Sequence, residues 1–154
     1  MLFRSDTGRL NYFVGRAYYD EIAFRYKNPD VSKNIIPFEL FINWSLPIVL
    51  CEGVFDAIAI KRNAIPLLGK TISEALKLKI ITENVQDIYI ALDQDAQKQA
   101  IEHAEYFINN GKNVFFVNLQ EKDPADIGFE KMNQLLKEAS KLTDLDLLKM
   151  KLQF

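Results

Sequence analysis

Short apolar runs alternate with helix-like patterns from Pro47 onward, and several of these runs end on an acidic residue. Ile48 to Cys51 predicts a first strand, after which Glu52-Gly53 turns into a helix from about Val54 to Arg62. Ile65 to Gly69 predicts a second, short strand. Thr71 and Glu74 follow with the spacing of a capping box, opening a helix through about Ile81. Asp87 to Asp93 reads as a third strand, and the next helix carries Ala96, Ala100, Ala104, Phe107 and Ile108 on one face before a left-handed stop at Asn110-Gly111. Val114 to Leu119 predicts the fourth strand. Met132, Leu135, Leu136, Ala139 and Leu142 then recur at helical spacing, predicting a C-terminal helix that packs on the sheet or on a partner.

Strands that are mostly apolar, without strict alternation, belong to sheets covered on both faces, the usual condition of parallel sheets. The expected fold class is therefore α/β, a mostly parallel four-stranded sheet flanked by helices. In such sheets ligands bind beyond the carboxyl ends of the strands. The stretch before Pro47 differs in kind: it is rich in Tyr, Phe and Arg, carries turn signals at Asp6-Thr7-Gly8 and Asn28-Pro29-Asp30, and lacks the strand-helix rhythm. It predicts a short β-rich extension, with strands near Leu10 to Val14 and Arg16 to Tyr19.

Composition narrows the function classes. At 154 residues, with 49% hydrophobic and 26% charged residues, the chain fits one globular domain with a sizeable core. A net charge of -2 argues against nucleic-acid binding driven by bulk charge. Locally the sign reverses: Met1 to Lys27 holds Arg4, Arg9, Arg16, Arg25 and Lys27 against Asp6, Asp20 and Glu21. Cys51 is the single cysteine, so neither an intramolecular disulfide nor a four-thiolate zinc site is expected, and a buried strand thiol in a reducing, cytoplasmic setting is. No apolar run approaches the roughly 20 residues that span a bilayer, and no leader is evident, so secretion and membrane insertion are not expected.

The candidate chemistry lies in the acids that close the apolar runs. Glu52, Asp93 with Asp95, and Asp123 all fall beyond strand ends, and Asp56 lies one turn into the helix after Glu52. Asp93 and Asp95 share a direction if extended geometry persists between them. Converging carboxylates repel unless a cation lies among them, and Mg²⁺ takes oxygen ligands while keeping waters that phosphates can replace. An acid at a helix start is also an ordinary N-cap, contributing about 1 kcal/mol, a role open to Asp95 and Asp123. Capping does not account for Glu52, which precedes Gly53 at the end of a strand. Ala64 to Thr71 loosely follows a phosphate-loop pattern ending in Gly69-Lys70-Thr71, but its middle is apolar and reads as strand, so it is not expected to cradle phosphate. His103, without a second histidine, is expected at the surface or half-buried on its helix.

In this order, Glu52-Gly53-x-x-Asp56, Asp93-x-Asp95 and Asp123-Pro124 resemble the Toprim domain, in particular that of bacterial and phage DNA primases. Upstream, Asp6-Thr7-Gly8-Arg9, Phe13-Val14-Gly15-Arg16 and Arg25-Tyr26-Lys27-Asn28-Pro29 resemble the end of the basic subdomain that precedes Toprim in primases. The resemblance runs from about Phe3 to Gly128. It implies a Rossmann-like Toprim domain over residues 47–129, a remnant of the basic subdomain over 1–46 and a C-terminal helical segment over 130–154. It implies metal-dependent nucleotidyl transfer making RNA primers on single-stranded DNA, with Glu52 and Asp93 catalytic, and Glu52, Asp93, Asp95 and Asp123 holding Mg²⁺ or Mn²⁺. Asp56 and Gly53 would support the site. Arg16, Arg25, Lys27 and Asn28 would contact template or ribonucleoside triphosphates. The family's middle motif usually has glycines where this chain has Gln94 and Gln97. The zinc-binding, larger basic and helicase-contacting domains of such primases have no counterpart in these residues, so a split or truncated core is expected, partnered by a replicative helicase or a separate zinc-binding chain, in a host cytoplasm if phage-encoded. The alternatives are a stand-alone Toprim nuclease and a non-catalytic Toprim binding module.

Overall fold

The structure, a computed structural model, describes residues 1–19, 26–119 and 123–153. At the N-terminus, β1 (Leu2–Arg4) pairs antiparallel with β2 (Leu10–Phe13), and β3 (Gly15–Arg16) with β4 (Tyr26–Lys27). The expected strand over Arg16 to Tyr19 is thus only its first residue; Tyr18 and Tyr19 are exposed and lie outside the ladder. Phe3 and Tyr12 are the buried side chains of this part, and they pack on Val54 at the start of α1 (Val54–Ile60).

The main sheet follows from Ile48 onward. This sheet joins β5 (Ile48–Cys51), β6 (Ala64–Pro66), β7 (Asp87–Ala91) and β8 (Asn113–Phe116), all parallel, in the spatial order β6-β5-β7-β8. Every residue of β5 is buried. Alternate side chains leave on opposite faces, so Ile48 and Leu50 join Ile88, Ile90 and Val114 beneath α2 (Glu74–Thr82) and α3 (Gln97–Asn109), while Val49, Cys51 and Ala91 join Ala57 and Ile60 of α1. Both faces are covered, the reason the strands read as near-continuous apolar runs. Cys51 is fully buried, as a strand thiol, and its pKa is pushed well up by burial, then by Asp56, Asp93 and Glu52 nearby.

Three expectations are corrected at the ends of elements. The second strand stops at Pro66, because Leu68 (φ 58°) and Gly69 (φ 144°) turn the chain away. α2 opens at Glu74 with Ser73, not Thr71, as its cap: Ser73 Oγ accepts from the Leu76 backbone N–H and donates to the Ile35 carbonyl. The C-terminal helix is interrupted. After the short α4 (Pro124–Ile127), α5 (Phe129–Glu138) ends where Lys141 bridges to Phe115 and Leu142 donates to the Val114 carbonyl, and α6 (Asp144–Lys151) restarts behind a Thr143–Asp146 capping box. No helix of the described residues is long and apolar enough to cross a membrane.

Candidate functional site

The register of the sheet assembles the site. Cys51 pairs with Ala91 across β5 and β7, so Glu52, one residue past β5, and Asp93, two past β7, leave the same edge side by side. This is the point where chain order reverses, β6 lying on one side of β5 and β7 on the other, and crevices form at such points. Asp93 is still extended, but the chain then enters a 3-10 turn over Gln94–Ala96, which carries Asp95. One oxygen each from Glu52, Asp93 and Asp95 lies within 4.8 Å of the others.

Electrostatics mark these acids as strained. Burial, then the charges of Asp93 and Asp95, raises the Glu52 pKa above the ordinary range, against the opposing pull of Lys70 and the Asp93 backbone amide. Asp93 is raised by burial and then by Asp56, Asp123 and Asp95. Glu52 Oε1 is buried and has no hydrogen-bond partner. A buried acceptor without a donor carries an uncompensated desolvation cost, and a hard cation removes it. Three hard oxygen donors and an orphaned oxygen fit Mg²⁺ or Mn²⁺. Soft or nitrogen donors are missing from the trio, which argues against zinc.

Asp56 plays a different part. It is buried, and one carboxylate oxygen accepts from the Gly53 N–H (2.8 Å) while the other accepts from the Ala125 N–H (3.3 Å), tying the start of α1 to the start of α4. Burial dominates its raised pKa, with these two hydrogen bonds opposing. Gly53 leaves room for this carboxylate: a Cβ there would lie 2.8 Å from Asp56 Oδ2, which would have to shift. Asp123 caps α4 by accepting from the Asp126 N–H at 2.8 Å. It stands outside the close trio, but lines the same cleft of about 640 Å³ as Glu52, Asp93 and Asp126.

The opposite wall of that cleft comes from the N-terminal ribbons. Arg16, Tyr26 and Asn28 line it, with the Arg16 guanidinium 5.6 Å from the Tyr26 ring centroid and 5.3 Å from that of Phe55. Lys27 alternates away from Tyr26 on β4 and is not among the described lining residues. Arg25 lies outside the described residues.

Sequence reasoning missed Lys70 and misjudged His103. Lys70 is ion-paired with Asp95, and the His103 ring is buried with Nε2 3.0 Å from the Lys70 carbonyl. The signal for Lys70 was present: a parallel β6 beside β5 brings its following turn to the edge that holds Glu52.

The sequence pattern of the Toprim domain matches residues 47–133, more than half of the chain. The chain belongs to the Toprim family. Among solved structures, this Toprim chain is similar to the Aquifex aeolicus primase (zinc-binding and RNA polymerase domains), with a TM-score of 0.74 at 21% identity over 92% of the chain and 40% of that protein. It is also similar to the RNA polymerase domain of Mycobacterium tuberculosis primase DnaG, with a TM-score of 0.66 at 15% identity over 94% of the chain and 56% of that one. The chain therefore spans well under two thirds of either structure, and the likeness extends beyond the Toprim match to the N-terminal ribbons. No curated protein matches by sequence.

Proposed function

We propose that this Toprim chain is the catalytic core of a primase-type nucleotidyltransferase, acting on single-stranded DNA with ribonucleoside triphosphates. The observation that carries the reading is the Glu52, Asp93 and Asp95 trio, with its unpartnered buried oxygen, of which Glu52 and Asp93 line one cleft together with Arg16, Tyr26 and Asn28. Acids on one wall and, on the other, the Arg16 guanidinium beside the Tyr26 ring suit a substrate with metal-bound phosphates and a flat base. The fold shared with primase RNA polymerase domains supports the same assignment.

Glu52, Asp93 and Asp95 would hold Mg²⁺ or Mn²⁺, with Asp123 at the cleft wall as a further oxygen donor. Such an ion supplies Lewis-acid neutralisation of phosphate charge and a more acidic attacking hydroxyl. Asp56 and Gly53 fix the turn that carries Glu52. Arg16 and Asn28, with Lys27 and Arg25, are assigned to template or triphosphate contacts. On this reading residues 1–46 belong to the basic subdomain, 47–129 form the Toprim domain and 130–154 lead out of it. A replicative helicase or a separate zinc-binding chain would complete the machinery, in the cytoplasm where template and nucleotides meet.

The test is incubation with labelled single-stranded DNA and Mg²⁺ or Mn²⁺, with and without ribonucleotides. Ribonucleotide-dependent extension is expected, and Glu52→Gln, Asp93→Asn or Asp95→Asn each lowers it at least about 100-fold, the scale on which metal sites respond to lost partners. Cleavage without ribonucleotides identifies a Toprim nuclease instead. Undiminished synthesis in all three variants would sink the proposal.

A further inference from the structure

The acidic trio carries its own cation. Lys70 follows Gly69 in the turn after β6, and its Nζ contacts Asp95 Oδ2 and, at 3.5 Å, the Asp95 carbonyl. Its charge also reaches Glu52 and Asp93. The turn is held in place from several sides. Leu67 donates to the Cys51 carbonyl, Lys33 Nζ donates to the Leu68 carbonyl at 3.2 Å, and the buried His103 bonds through Nε2 to the Lys70 carbonyl at 3.0 Å. A carbonyl only accepts, so His103 carries its proton on Nε2. Because α3 begins directly after the Asp95 turn and also holds His103, the Lys70 backbone and Asp95 are anchored to one helix. The side chains are less constrained: that of Lys70 is 37% exposed and that of Asp95 72% exposed. Ion pairs this exposed are weak and easily exchanged.

Lys70 and a divalent cation therefore seek the same carboxylate. We propose that Lys70 is a built-in counter-ion that a divalent cation displaces from Asp95, the freed ammonium then binding a phosphate oxygen of the nucleoside triphosphate. The proposal rests on the reading of Glu52, Asp93 and Asp95 as metal ligands. It explains why an ammonium stands at a site that must attract cations: without metal it relieves the repulsion among the acids. With metal the anchored turn keeps it beside the cleft, since Gly69 lines that cleft and Lys70 follows it. A lysine suits this exchange better than an arginine would, because a compact ammonium on a flexible stem trades one partner for another, whereas a guanidinium grips a carboxylate through two bonds.

The test is a Mn²⁺ titration of the full chain followed by electron paramagnetic resonance of free Mn²⁺, comparing the native protein with Lys70→Met and Lys70→Gln. Loss of one positive charge beside a divalent ion is expected to tighten Mn²⁺ binding about three- to tenfold. At saturating Mn²⁺ the same variants are expected to bind ATP more weakly, by a similar factor. Opposite signs in the two titrations are the signature of exchange; loss of fold lowers both. Native protein that binds Mn²⁺ while the variants bind it equally or less tightly overturns the exchange and leaves the metal site standing. Unchanged ATP affinity in the variants overturns the phosphate contact. Native protein that binds no Mn²⁺ overturns the metal-site reading and the exchange together.

Discussion

The two walls of the cleft are built on opposite principles. The acidic wall hangs from β5 and β7, the two central strands, β5 buried throughout and β7 buried at Ile88, Ile90 and Ala91, so Glu52 and Asp93 inherit the rigidity of the sheet. The facing wall comes from two-stranded ribbons of two to four residues per strand, and such ribbons are not stable alone. The β1–β2 ribbon is held by Phe3 and Tyr12 against Val54, with Phe38 beside them, and the β3–β4 ribbon follows it along the chain with Arg16 over the Phe55 ring. One wall is thus intrinsic to the fold and the other is docked on it. The acidic trio comes from the first, and Arg16 and Tyr26 from the second.

Removing the dock is the strongest test of this division. Phe3 is 1% exposed, with its ring centroid 5.5 Å from that of Phe38 and 6.3 Å from that of Tyr12. Phe3→Ala is expected to cost the N-terminal part about 3–5 kcal/mol, the usual range for deleting a buried phenyl ring. Hydrogen exchange should speed up in β1 and β2 and stay slow in β5 and β7. Mn²⁺ binding should survive while affinity for single-stranded DNA falls. Equal loss of protection in both regions would show that the walls form one cooperative unit.

The same division governs what could be read from sequence. Ile48–Cys51, Asp87–Ala91 and Asn113–Phe116 stand out as apolar runs because burial on both faces leaves no polar alternation, and a parallel arrangement then sends every C-terminal end to one edge. That is why Glu52, Asp93 and Asp95 could be brought together without knowing the register. Features that depend on long-range partners were hidden. Ser73 beats Thr71 as the cap because Ile35, far upstream, accepts from its hydroxyl. His103 is buried because a carbonyl from the Lys70 turn awaits it, and the C-terminal helix breaks because Val114 and Phe115 claim Leu142 and Lys141. No local pattern announces such partners. Lys70 was visible as a residue, but a phosphate-loop reading and its dismissal both overlooked the carboxylate it faces.

Within the rigid wall, Gly53 offers a smaller break. An added Cβ would meet Asp56 Oδ2 at 2.8 Å, and Asp56 links α1 to α4 through the Gly53 and Ala125 amides. Gly53→Ala is expected to displace Asp56 and cost about 1–3 kcal/mol, the price of leaving a buried acceptor poorly bonded. The loss should appear in urea unfolding of the sheet region. It should also weaken Mn²⁺ binding, because the displaced turn carries Glu52. A variant that folds as stably as the native chain and binds Mn²⁺ equally well would mean that the Asp56 link does not hold the wall.

The smallest effect expected here is one of pH, and within the sheet domain it separates the acidic cluster from the buried His103 by sign. Burial first, then mutual repulsion, raises the Glu52 and Asp93 pKa values in the folded protein. Between the ordinary carboxylate range and these raised values the native state binds protons that the unfolded chain has released. Stability therefore falls as pH rises through that window, and acidification restores it. Buried His103 acts in the opposite sense, since burial lowers its pKa and protonation opposes folding as pH drops below the ordinary histidine range. The difference between the native chain and Glu52→Gln isolates the carboxylate part. Without metal, Glu52→Gln should melt at a higher temperature than the native chain at neutral pH, and the gap should close as pH falls from the raised values to the ordinary carboxylate range. Mg²⁺ should stabilise the native chain at neutral pH and lose that effect in acid, where protons compete for the same oxygens. If Glu52→Gln instead melts lower at every pH, the Glu52 carboxylate is a stabilising partner in the metal-free fold, and the acidic wall is not under the electrostatic strain that a cation would relieve.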